Sequence, residues 1–166
     1  MFNEINIRDL KVSPVKLIAD DWSLLTAGDK TEWNTMTVSW GTVGELWGKD
    51  VVCCFVRPQR YTFEFMEKSE YFTLSFFSEE NKDALKFCGS HSGKDCDKAK
   101  KSKLTPMYLD NAVSFEQSKI VFVCKKMAFQ DLNPNGFIDE SIKGNYTNKD
   151  YHRMYVGSIE KVLIFN

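Results

Sequence analysis

Residues 51–66 read VVCCFVRPQRYTFEFM, and this stretch decides how the chain folds. Val51–Val56 is an unbroken apolar run bounded by Asp50 and Arg57, which predicts a strand covered on both faces. Arg57-Pro58-Gln59-Arg60 then turns the chain, and Pro58 to about Lys68 predicts a helix with proline at its first position, where the missing N–H costs nothing. A helix start exposes unpaired N–H groups and the positive end of the helix dipole, so it attracts anions. Arg57 and Arg60 flank that start, Thr62 adds a hydroxyl, and no acidic residue lies between Val51 and Phe63. Two readings stand side by side: a phosphate site, or two arginines paired with carboxylates from elsewhere in the chain.

Working outward, Val15–Ile18, Ser23–Ala27, Val113–Phe115, Lys119–Lys126 and Arg153–Phe165 predict strands. Thr35–Gly41 (TMTVSWG) alternates polar and apolar residues, which predicts a half-buried strand, and Tyr71–Phe77 (YFTLSFF), with four aromatic residues in seven, predicts another. Ser78 followed by two glutamates predicts a helix start running to about Phe87, and Asp95–Lys101 predicts a further helical turn. Strands dominate and helices sit between only some of them. The pattern predicts a mainly β chain, an antiparallel barrel with a few helices, in one domain over residues 1–166.

The polar face of Thr35–Gly41 is uncharged and suits the edge of a flat heterocycle, although Met36, Val38 and Trp40 equally suit a core. A flat ring over this strand with an anion at the arginine elbow points to a nucleotide or a flavin. The net charge of −1 lacks the basic balance of nucleic-acid binders and offers no polybasic membrane signal. No apolar run reaches membrane-spanning length, and MFNEINIRDLKVSP carries charges throughout, so neither a membrane segment nor a secretory leader is expected and a cytoplasmic location is. Five cysteines, an odd number, read as reduced thiols, and adjacent Cys53 and Cys54 point to opposite faces of a strand.

No metal is expected. Cys88, His91 and Cys96 follow no standard zinc spacing, and Asp131–Gly136 begins like a calcium loop but has Ile142 where the bidentate glutamate belongs, so it reads as a turn. The chain holds only two histidines, His91 in GSHSG and His152 in DYHRMY. These are the catalytic candidates. His91 either helps place a nicotinamide or is an exposed loop residue, and His152 either lines a pocket or packs at the surface.

The ordered motifs NTMTVSWG, VRPQRYT, YFTLSFF, CGSHSGKDCDK and YHRMYVGSIEKV resemble the flavoredoxin-like branch of the flavin reductase family along nearly the whole chain. The resemblance implies a Greek-key split β-barrel that binds FMN non-covalently, and a homodimer with the flavin near the interface. It further implies an oxidoreductase that moves hydride from NAD(P)H to flavin. The alternative is an electron carrier without NAD(P)H activity of its own, which docks to a redox partner protein. By the same resemblance, Thr35, Met36 and Thr37 match a strand along the flavin ring, and Ser39 and Trp40 match positions near the ribityl chain and phosphate. Arg57, Arg60, Tyr61 and Thr62 match the phosphate turn, Ser92, Gly93 and Lys94 a loop that closes on the flavin, and His152 and Tyr155 a C-terminal region near the pocket.

Overall fold

Eight strands form one antiparallel sheet in the order β3-β2-β6-β9-β10-β5-β4, with β1 added to the far half of β10. The computed structural model describes residues 2–165. The strands are β1 (Phe2–Ile5), β2 (Ser23–Gly28), β3 (Trp33–Val38), β4 (Gly41–Leu46), β5 (Lys49–Val56), β6 (Tyr71–Phe76), β9 (Ile120–Asp131) and β10 (Arg153–Phe165). A short ribbon of β7 (Pro106–Tyr108) and β8 (Val113–Phe115) lies beside β6, where Thr73 Oγ1 donates to the Val113 carbonyl at 2.6 Å. Helices α1 (Tyr61–Lys68), α2 (Lys82–Ser90) and α3 (Lys98–Lys101) complete the fold.

The two ends of this strand order are β3 and β4, yet they are consecutive in sequence and joined by Ser39 and Trp40 alone. Three Cα steps span at most about 11 Å. The sheet must therefore roll until its two edges nearly meet, and no ladder closes the seam. That is a barrel split along one side, the mainly β architecture expected from the alternating segments.

The barrel interior holds Leu25, Met36, Val52, Cys54, Val56, Phe72, Leu74, Phe76, Phe122, Cys124 and Tyr155. A second core of Leu24, Phe77, Leu85, Cys88, Ala99, Leu104 and Phe115 lies under α2 and α3. Adjacent Leu24 and Leu25 enter different cores, so β2 is the strand covered on both faces. At about 25 cal/mol per Å² of apolar burial, these two cores dominate the fold's stabilisation. Gly157 on β10 lets β6 approach: a Cβ there would meet the Phe72 ring at 2.6 Å.

Several expectations are corrected. Val15–Ile18 is not a strand: Lys16–Asp21 winds as a π-helical turn that buries adjacent Leu17 and Ile18 and leaves Val15 outside. Val51–Val56 is not covered on both faces, because Val52, Cys54 and Val56 face the core while Cys53 and Phe55 are only half-buried. Pro58 is not the first helical residue. It sits inside a turn closed by Arg60 N–H to the Arg57 carbonyl at 3.0 Å, and α1 begins at Tyr61 with Arg60 as its N-cap. Ser78 opens a short 3-10 turn, Glu79–Asn81, rather than α2 itself. Asp95 precedes the last helical turn, which Asp97 caps by accepting from Lys100 N–H at 3.0 Å. The hairpin β4–β5 and strands β1 and β7 were not anticipated. The hairpin turns on Trp47 and Gly48, both at positive φ (56° and 71°), the two-residue geometry that matches strand twist.

Candidate functional site: a cationic cleft at the barrel seam

A cleft of about 230 Å³ opens where the seam lies. It is lined by Met36 to Trp40 from β3 and its connector, by Phe55 and Arg57 at the end of β5, and by Arg60, Gly89 and His152. Strand β3 runs into this seam with Met36 and Val38 turned to the core, and Trp40 beyond it is half-exposed. Phe55 reaches the cleft because it occupies the outer face of β5.

The last turn of α2 organises the cationic end. Helix C-termini leave carbonyls without partners and carry the negative end of the dipole. Here Thr37 Oγ1 donates to the Leu85 carbonyl, Lys98 Nζ to the Cys88 carbonyl at 3.0 Å, and Arg60 to the Gly89 carbonyl at 2.8 Å. Lys98 Nζ also donates to the Thr35 carbonyl at 2.5 Å, capping the open edge of β3. Lys98 is 5% exposed. Among the described residues, neither Lys98 nor Arg60 has a carboxylate within 4 Å. Burial, then the nearby Arg60 charge, brings the Lys98 pKa down to about 8. Burial also lowers the Arg60 pKa, and the Arg57 charge adds to the effect. Two desolvated cations thus stand together without a counter-anion.

Arg57 differs. Its guanidinium donates to Asp150 at 2.5 Å and to the Asn145 carbonyl at 2.9 Å, and it lies 5.1 Å from the Tyr146 ring centroid. The charge at this half of the elbow is therefore consumed by an acid 93 residues away, as in the surface-pair reading. Of the two elbow arginines, Arg60 is the one without a carboxylate partner among the described residues.

His152 is buried at the cleft wall, with its ring 5.3 Å from Trp40 and 6.4 Å from Phe55. Its Nδ1 lies 2.8 Å from the Tyr146 hydroxyl. Burial first, then the Arg57 charge, pushes its pKa down to about 4, so the ring is neutral at pH 7. His91 is elsewhere, stacked on Phe87 at 3.9 Å on the exposed face after α2.

Of the residues singled out from sequence, the cleft gathers Met36, Thr37, Ser39, Trp40, Arg57, Arg60 and His152. Thr35 lies one layer behind, its hydroxyl 2.9 Å from Thr26 Oγ1. Thr62 is buried and accepts from the Asn34 amide at 2.8 Å. Lys94 pairs with Glu64 at 2.8 Å over the Tyr61 ring, and Gly93 abuts Asn34, so Ser92–Lys94 closes against the start of α1 instead of over the cleft. Tyr155 does not reach the cleft: it is fully buried in the barrel and donates to Glu67 at 2.5 Å. Sequence reasoning missed Phe55 and Gly89 in the lining, and Lys98 behind it under the Thr35 and Cys88 carbonyls. Phe55 was legible from period 2 along β5, whereas Lys98 looked like one of many lysines.

The family model for the flavin reductase like domain matches residues 16–164, and the chain belongs to that family. Solved structures share its fold. A flavoredoxin from Methanosarcina acetivorans is similar with a TM-score of 0.67 at 18% identity, covering 86% of this chain and 67% of that one. An FMN-binding domain of a flavin reductases-like enzyme from Shewanella baltica OS155 gives 0.70 at 14% identity, over 99% and 77%. An NADH:FAD oxidoreductase from Streptomyces globisporus gives 0.67 at 13% identity, over 87% and 75%. No curated protein matches the sequence. Among the described residues, no helix is long and apolar enough to cross a membrane, and no group of three or more His, Cys, Asp or Glu side chains is arranged to hold a metal ion.

Proposed function

We propose that this chain is an FMN-binding oxidoreductase that takes hydride from NAD(P)H, with the flavin held non-covalently in the seam cleft. The observation that carries this reading is the Arg60 guanidinium, without a carboxylate partner among the described residues, in a cleft lined also by the Trp40 and His152 rings. Buried cations need an anion, and a guanidinium fork fits phosphate oxygens. A flat heterocycle suits the aromatic wall. The residues present therefore fit a flavin phosphate.

Bound flavin supplies the two-electron chemistry, and the protein supplies binding, orientation and electrostatics. Arg60 would hold the phosphate. Met36, Thr37, Ser39 and Trp40 would line the flavin along β3, with Thr35 setting the strand from behind. Arg57 would shape the phosphate turn while tied to Asp150, and Tyr61, Thr62 and the Ser92–Lys94 loop would brace it. With a pKa near 4, His152 stays neutral through catalysis and presents an uncharged polar edge to the cleft. Its low proton affinity argues against a general-acid role at neutral pH. Half-exposed Trp40 and the exposed hairpin residues Leu46 and Trp47 support a homodimer over this face. A single-domain cytoplasmic protein is the accompanying proposal.

The deciding experiment is the visible spectrum of the FMN-loaded protein in an anaerobic cuvette, before and after NADH and then NADPH. Bleaching at a catalytic rate establishes the reductase reading. A band bleached by dithionite but by neither nucleotide replaces it with an electron carrier. Failure to retain any flavin overturns both.

A further inference from the structure

Between β9 and β10 the chain leaves the sheet for a long strap, Leu132–His152, that pairs with no strand among the described residues. It is organised from within. Asn133 caps the Pro134–Gly136 turn, Asp139 caps the next, and Phe137, Tyr146 and Tyr151 pack their rings 5.1 to 6.0 Å apart. Among the described residues, every hydrogen bond tying this strap to the rest of the protein uses Arg57 or Gln59. Asp150 is the hub: its Oδ2 accepts from Arg57 and from the Gln59 amide, each at 2.5 Å. The Asn145 carbonyl and Tyr146 ring hold the other side of the same guanidinium. Two residues past Asp150, His152 forms part of the cleft wall, and its Nδ1 is fixed by Tyr146.

We propose that Asp150 is a positioning residue: by clasping Arg57 and Gln59 it pins the strap to the elbow, keeps His152 in the cleft wall and slows the release of bound flavin. This rests on the flavin-binding reading above. The clasp uses Arg57 as a fastener, leaving the phosphate to Arg60. Its effect should therefore not depend on whether the flavin carries a phosphate. Two charge-assisted bonds into one carboxylate, with a third from the same guanidinium to the Asn145 carbonyl, are strong enough to hold this segment to the elbow. The strap is otherwise drawn from the low-stability end of the fold.

The test compares the full chain with Asp150→Ala and Asp150→Asn. Without ligand, trypsin cleavage after Lys143, exposed on the strap and away from the substituted residue, should accelerate about tenfold in Asp150→Ala, because cleavage follows the open population. Cleavage after Lys125 and Lys161, within the β9 and β10 ladders, should not change, which shows that the barrel is intact. In stopped flow, FMN and riboflavin should both leave Asp150→Ala about tenfold faster, by a common factor. Asp150→Asn retains an acceptor oxygen for both donors and should fall between. Unchanged strap cleavage overturns the clasp. So does unchanged release. Tighter FMN binding would instead make Arg57 a direct phosphate ligand held in check by Asp150, and acceleration confined to FMN would make it a phosphate ligand that Asp150 orients; either would overturn the proposal. If the wild-type chain takes up neither flavin, the parent reading fails and the link to flavin release falls with it, while the cleavage rates still show whether the clasp exists.

Discussion

Arg60 and Arg153 are both guanidinium groups at the rim of the same barrel, and their surroundings are opposite. Arg153 begins β10 and is saturated with acid: it grips both oxygens of Asp131 at 2.6 and 2.8 Å and donates to Glu67 at 3.0 Å. Those bonds raise its pKa, its ring neighbours Phe129 and Phe63 lie at 4.3 and 5.3 Å, and the same Glu67 accepts from buried Tyr155. Arg60 has two neighbouring cations, a carbonyl and no acid, and its pKa falls. A cation that serves the fold is neutralised by the fold. A cation left unneutralised in a cleft costs stability until something outside the chain supplies the anion. Sequence alone does not distinguish the two, since each stands at the start of an element, Arg60 as the N-cap of α1 and Arg153 as the first residue of β10.

The comparison breaks most directly at Arg60. Arg60→Met should weaken FMN binding by about 2–3 kcal/mol, on the order of 30- to 150-fold, as expected for lost charge-assisted bonds. It should leave the unliganded fold unchanged or slightly more stable, since it deletes a desolvated charge. Fluorescence titration and thermal unfolding of the same variant give both numbers, and a large loss of stability would show that Arg60 serves the fold after all. Glu67→Ala should do the reverse. Leaving Arg153 and the buried Tyr155 hydroxyl short of a partner should cost about 2 kcal/mol in urea unfolding, with flavin affinity unmoved.

Protonation sharpens the contrast further. Lys98 titrates near 8 in the folded chain against about 10.4 when unfolded, so between those values the unfolded chain holds the extra proton and stability rises with pH. Lys98→Met should remove that slope in thermal melts taken from pH 7.5 to 10. For His152, also depressed, the unfolded imidazole takes its proton first, near pH 6.5, and the folded one only near 4. Its contribution is complete above about pH 6.5 and is lost as pH falls toward 4, and melts of His152→Gln across that window should fall less steeply than wild type. The smallest effect belongs to Asp131→Asn. That carboxylate is 61% exposed, and the change should cost no more than about 0.5–1 kcal/mol despite the two-pronged geometry.

Much of the barrel was legible because alternation along a strand records which face is buried. Arg153–Phe165 was bounded correctly end to end, and the polar and apolar sides of residues 35–40 led to the cleft wall. Val15–Ile18 failed because four residues with three aliphatic side chains fit a period of 2 and a helical turn equally well. The elbow was half legible. Local sequence shows that no acid stands near Arg57, but Asp150 arrives through the strap, and only the fold brings residues 93 apart into contact. Lys98 was hidden for a related reason: nothing in KDCDKAKKSK distinguishes a lysine that will be buried under two carbonyls from its solvated neighbours.

The Ser39–Trp40 connector has one more consequence. Because it is the covalent bridge between two sheet edges that share no ladder, its length acts as a ruler for the width of the slot beside it. Strands in register resist slippage, whereas two linker residues can be lengthened by one without breaking a single interstrand bond. Gauge of ligand and gauge of linker are therefore coupled, and a one-residue insertion there would retune which planar molecules fit while leaving both hydrophobic cores as they are.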